Sequence, residues 1–183
     1  MPEPTPATPT LHVARWTVAS GSNARSRGAV IIDAGDHHWR ASAEGNGAID
    51  ALYRAVDQAL SEIPDGHPRL LAYDIHALGE GTDTIGAVTV RIAPPDVAGD
   101  RGTGEYVGEA RGTNIIAASI EAYIVALNLM LGEAHWEGAP EEAAATGKRA
   151  RAKAPVTAGA ARAHRAELDE DAGEIDTVDW FNQ

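Results

Sequence analysis

Residues 43–60 read AEGNGAIDALYRAVDQAL. The stretch ends a strand, turns at Gly45, Asn46 and Gly47, and opens a helix in which Ile49, Leu52, Ala55, Val56, Ala59 and Leu60 recur at helical spacing. Such a junction leaves backbone N–H groups without intrahelical partners. Because the helix N-terminus also carries the positive end of the macrodipole, it suits a carboxylate or phosphate, and glycine lets a ligand approach the backbone. The plainer alternative is a connection whose glycines only supply positive φ, and a lone G-x-G does not choose between the two.

Upstream, residues 11–20 (LHVARWTVAS) set Leu11, Val13, Arg15 and Thr17 on one face against His12, Ala14, Trp16 and Val18 on the other, the alternation of a strand. Residues 28–33, with Val30, Ile31 and Ile32, predict a second strand, and a turn at 34–36 leads into a third over 37–44. Residues 1–10 (MPEPTPATPT) predict an extended, disordered tail.

Downstream, Pro64, Asp65 and Gly66 stop the helix near Ile63, and the plan repeats. Strands are expected over 69–78, 84–93 and 105–110, with a turn at 79–83. Gly112, Thr113 and Asn114 then open a helix over 115–131, whose Ile116, Ser119, Ile120, Tyr123, Ala126, Leu127 and Met130 share a face. Ile49, Ala51 and Ala55 fall about 67 residues before Ile116, Ala118 and Ala122. The expected fold class is therefore α+β: two repeated β-β-β-α units, 11–66 and 67–131, forming one compact domain. Each unit buries one sheet face under its helix, and a remaining apolar face suits a dimer interface.

A formal net charge of -12 over 183 residues argues against nucleic-acid or anionic-membrane partners. The chain has no cysteine, hence no disulfide framework or thiolate metal site. No apolar run has the length of a membrane span, so a cytoplasmic location is expected. His37 and His38, neighbours on a strand, point to opposite faces, and the remaining histidines lack metal-ligand spacing. Neither a metal, a cofactor nor a catalytic residue is predicted. Residues 132–183 are low in complexity, with a basic run at 148–153 and an acidic run at 167–171, and predict a mostly disordered tail. Trp180 and Phe181 near its end predict a docking segment.

Residues 11–131 resemble the regulatory, dimerisation domain at the C-terminus of 2-isopropylmalate synthase and citramalate synthase. The resemblance is carried by Gly45-Asn46-Gly47-Ala48-Ile49-Asp50-Ala51-Leu52, by 70–77 with Tyr73, by Gly81-Thr82-Asp83, and by 113–119 followed by Ala122-Tyr123 and Ala126-Leu127-Asn128. It implies a homodimer that binds an end-product amino acid, leucine or isoleucine, between subunits. The effector site it implies comprises Gly45, Asn46, Gly47, Ile49, Asp50, Leu70, Tyr73, Ala77, Asp83, Thr84, Arg111 and Thr113. Aliphatic walls would take the branched side chain, worth roughly 2 kcal/mol when buried. The glycine turn would meet the carboxylate, with Asp50, Asp83 or Tyr73 as candidates for the ammonium. Ala48 and Ala72 stand where the resemblance puts proline and aspartate. Arg111 stands where it puts an apolar residue, and a guanidinium there changes what the site accepts.

About 120 residues leave no room for the synthase barrel, which needs roughly 250, so the chain is expected not to be an enzyme on its own. Three readings follow: a module sensing a branched-chain amino acid, a detached regulatory subunit that needs a separate synthase catalytic chain, and a dimeric scaffold that has lost its ligand.

Overall fold

The computed structural model describes residues 10–63, 66–96 and 104–133. Residues 1–9 and 134–183 of the two predicted tails, with the docking segment at Trp180 and Phe181, lie outside the described residues.

The chain runs β1 (His12–Gly21), β2 (Ala24–Ala34), β3 (His37–Gly45), α1 (Ala48–Leu60), β4 (Arg69–Ala77), β5 (Gly86–Ala93), β6 (Tyr106–Gly112) and α2 (Ile115–Leu131). The expected α+β duplication is what forms. Each unit is a three-stranded antiparallel meander, β1-β2-β3 and β4-β5-β6, followed by its helix. Most boundaries shift by one to three residues from the sequence reading, and the largest shift is in β2, which begins at Ala24 because a two-residue turn pairs Gly21 with Ala24 and draws residues 24–27 into the ladder. Ser26 is buried there, sharing a 2.8 Å hydrogen bond with Ser20.

The first strand of each unit carries the same irregularity. The β1 register slips between Val13, opposite Ile32, and Arg15, opposite Ile31; the β4 register slips between Leu70, opposite Ile92, and Ala72, opposite Arg91. A β-bulge re-aims the residues that follow it. Trp16 of β1 then stands opposite Val30, and Tyr73 of β4 opposite Val90, so the two occupy the same place in the two units.

The core lies where α1 covers β2 and β3, α2 covers β5 and β6, and the helices meet. Val30, Ile32, Leu52, Val56, Val88, Val90, Ile92 and Ile120 are among its fully buried members. Tyr53 and Tyr123 stack across the helix pair with centroids 4.4 Å apart. Each also reaches the opposite helix: the Tyr53 hydroxyl donates to the Ser119 carbonyl at 2.9 Å, and the Tyr123 hydroxyl donates to the Asp57 carboxylate. Asn128 of α2 closes the other end, accepting from Leu11 N–H and donating to Leu11 C=O, both at 2.8 Å.

Asn114 caps α2, its Oδ1 accepting from the amides of Ile116 at 3.0 Å and Ala117 at 3.2 Å. Removing a cap of this kind costs about 1 kcal/mol. Asn114→Ala is expected to lower the melting temperature by a few degrees while leaving far-ultraviolet dichroism unchanged; an unaltered melting temperature would show that the cap is energetically idle.

Candidate functional site

The β3–α1 junction is built by close approach. Neither Gly45 nor Gly47 has a positive φ; those belong to Gly35, Gly66, Gly81 and Gly104. A Cβ on Gly45 would lie 2.4 Å from the Ala51 amide nitrogen, so glycine there lets α1 settle on the strand end. Gly47 is the N-cap, in extended conformation, with nothing within 4 Å of where its Cβ would be. It offers no side chain to the first amides of α1. Asp50 is already engaged: its Oδ2 accepts from Asn46 N–H at 2.8 Å and its Oδ1 from Arg54 Nε at 2.9 Å. Arg54 and then the Asn46 amide hold this carboxyl below its usual range. Asp50 thus rigidifies the turn.

On β4, alternation turns Tyr73, Ile75 and Ala77 toward the helix side of the sheet, where their partners Val90, Val88 and Gly86 also face. Tyr73 meets Tyr53 edge-on, with centroids 6.1 Å apart and planes at 85°. Its hydroxyl lies 2.7 Å from Ser119 Oγ, which itself donates to the Ile115 carbonyl at 2.6 Å. Since a serine hydroxyl has one proton, Tyr73 is the donor. Tyr73 is therefore fixed to both helices, and Ile49, one turn before Tyr53, shares its side of α1.

Ala77, Gly86 and Gly112 form one row across the second sheet, which brings Thr113 toward the end of β4. Asp83 and Thr84 lie in the β4–β5 connection, closed by a 2.8 Å bond from Leu78 N–H to Ile85 C=O. Arg111 lies on the rim of an open groove of about 510 Å³ between β1, β6 and α2, whose far wall the other unit supplies. Ser119, Tyr53 and Asp57 escaped the sequence reading as polar partners of the site, because their contacts join positions 46 to 66 residues apart.

An apolar surface adjoins this region. Leu70, Leu71, Ile75, Leu78 and Ile85, all on β4 or its connection to β5, are 43–54% exposed. Among the described residues no group of His, Cys, Asp and Glu could hold a metal ion; His38 donates to or accepts from Asp33 at 2.7 Å instead. No helix among them is long and apolar enough to cross a membrane.

Comparison with known proteins gives this geometry a context. Residues 4–131 match the family described as the LeuA allosteric (dimerisation) domain. The chain is 35% identical over 132 residues to a 2-isopropylmalate synthase of Salinibacter ruber, covering 71% of this chain and 22% of that protein. It is 32% identical over 130 residues to a putative (R)-citramalate synthase of Methanoculleus marisnigri, covering 70% and 24%. A 2-isopropylmalate synthase of Thermosynechococcus vestitus is 35% identical over 112 residues, covering 61% and 19%. The chain spans about a quarter or less of the length of these relatives. With its duplicated β-β-β-α plan and its match over both units, the chain belongs to the LeuA allosteric (dimerisation) domain family.

Proposed function

We propose that this domain binds a branched-chain amino acid, leucine foremost, and does so as a homodimer that regulates a 2-isopropylmalate synthase catalytic part lying outside residues 11–131. The observation that carries this reading is the pairing of an uncapped α1 N-terminus at Gly47 with the exposed apolar face of β4 beside Tyr73. Free amides and the helix dipole suit a carboxylate. Leu70, Ile49 and Ala77 suit an aliphatic side chain, and Asp83 or Tyr73 can receive the ammonium. Thr84 and Thr113 line the approach, and a second copy of the chain covers the apolar stretch from Leu70 to Ile85. The synthase chemistry named for the relatives belongs to the remainder of those proteins, and this domain supplies control.

The test uses Gly47→Asp. Aspartate is a better N-cap than glycine, and the open space around Gly47 admits it, so folding is retained. Its carboxylate would occupy the amides that the effector needs. Calorimetric titration with leucine, isoleucine and valine, with sedimentation in parallel, should show saturable binding of one of them to a dimer. Gly47→Asp should abolish binding with no fall in melting temperature. Binding by the variant as in the parent chain, or none of the three bound by the parent, overturns the reading.

A further inference from the structure

Duplication gives the fold a second place like the one beside Tyr73. Val13 and Trp16 hold in β1 the register positions that Leu70 and Tyr73 hold in β4, after the same bulge. The helix that faces them is α2, where Ile120 stands 67 residues beyond Tyr53. A tyrosine ring is thus replaced by a smaller aliphatic side chain. The consequence is the open groove of about 510 Å³ on whose walls Val13, Trp16, Ile120 and Val125 lie. Small-molecule sites usually measure about 300–1,000 Å³.

The rim is charged with both signs. Arg111 reaches it from the edge of β6 and Glu121 from α2. Neither has an ion-pair or hydrogen-bond partner among the described residues. In the first unit the residue at the place of Glu121 is Arg54, which is spent on Asp50. Glu109, two residues before Arg111 on β6, adds a second carboxylate to the rim. An apolar trough flanked by one uncommitted guanidinium and carboxylates at Glu109 and Glu121 offers a partner to each charge of a zwitterion with an apolar side chain. We propose that this groove is a second small-molecule site, taking an α-amino acid with a large apolar side chain, its carboxylate toward Arg111, its ammonium toward Glu121 and its side chain against Trp16. The proposal stands on the groove's own lining; Arg111 is the one residue it has in common with the effector set above.

The experiment is a titration of the full chain with L-phenylalanine, followed through the indole N–H resonance of Trp16, assigned with Trp16→Phe. Saturable movement of that resonance is expected, retained in Gly47→Asp and weakened about tenfold or more in Glu121→Lys, whose exposed and unpaired position leaves the fold intact. Leucine binding that vanishes in Gly47→Asp, with Trp16 unmoved by L-phenylalanine, leaves the effector reading in place and removes this one. Leucine binding lost in Glu121→Lys but kept in Gly47→Asp, with Trp16 moved by L-phenylalanine, does the reverse. A Glu121→Lys chain that binds as the parent does, or a dimer that it splits while Trp16 ignores added amino acid, also overturns the proposal.

Discussion

Gly108→Ala is expected to unfold the second unit or to lower the melting temperature by about 10 °C or more. A Cβ at Gly108 would lie 1.9 Å from the Ala122 carbonyl oxygen and 2.6 Å from the Ala126 amide nitrogen. Both are backbone atoms in the middle of α2, so no rotamer change relieves the contact. The helix must lift from β6, and lifting it exposes Ile120 on its own underside and the layer of Val88, Val90 and Ile92 on β5. Overpacking of this kind costs about 3 kcal/mol or more, which corresponds to such a shift in a domain of roughly 120 residues. Glycine to alanine in a strand otherwise stabilises slightly by restricting the unfolded chain, so the expected sign is opposite to the local rule. Gly112→Ala, four residues along the same strand, is the control: its Cβ meets only atoms at 3.8 Å or beyond, and its effect should stay within about 0.5 kcal/mol. Equal effects of the two substitutions in thermal denaturation would mean that α2 does not rest on Gly108 as described.

The same glycines show which features were legible in the sequence. Alternation revealed the strands, because Val88, Val90 and Ile92 face a helix while Ala87, Thr89 and Arg91 do not. Spacing in residues 48–60 and 115–131 revealed the helices, and the 67-residue offset revealed the duplication. Gly28 and Gly108 passed unnoticed, since a strand glycine has no local signature when its purpose is to admit a helix from above. Gly45 was visible, but as part of a ligand loop; its packing role against Ala51 is set by the angle at which α1 returns over β3. Of the candidate site, Tyr73 and the glycine turn were legible from their motifs. The position of Arg111 was not, because the groove that it borders is completed by β1, about 95 residues earlier in the chain. The polar pairs across the helix interface were hidden for the same reason: Tyr123 lies on a face that periodicity marks only as apolar.

That last pair should make the protein's stability depend on pH in a direction unusual for a carboxylate. Asp57 is half-buried beside Leu60, Ile63, Leu127 and Met130, and this desolvation pushes its carboxyl up to about 6, against the pull of the Tyr123 hydroxyl, His67 and Arg54. Burial, then the neighbouring Asp57 charge, also raises the Tyr123 hydroxyl well above its ordinary value, so it remains a donor throughout. An unfolded aspartate titrates near about 3.9. Between that value and about 6 the folded chain holds a proton that the unfolded chain has released, so stability falls as pH rises through this window and levels off above it. The full change is about 3 kcal/mol. Denaturant melts at intervals from pH 4 to 7 should therefore show the domain strongest at the acidic end of the window, once other groups are held common by comparison with Asp57→Asn. That substitution keeps an acceptor for Tyr123 and removes the charge. It should flatten the dependence and leave the variant more stable than the parent at pH 7. Tyr123→Phe acts the other way. It strips the buried carboxylate of its donor, so it should cost about 2–4 kcal/mol at pH 7 and extend the decline to higher pH. A parent chain whose stability rises from pH 4 to 6 relative to Asp57→Asn would mean that Asp57 is stabilised as an anion, and that Tyr123, rather than the surrounding leucines and methionine, sets its titration.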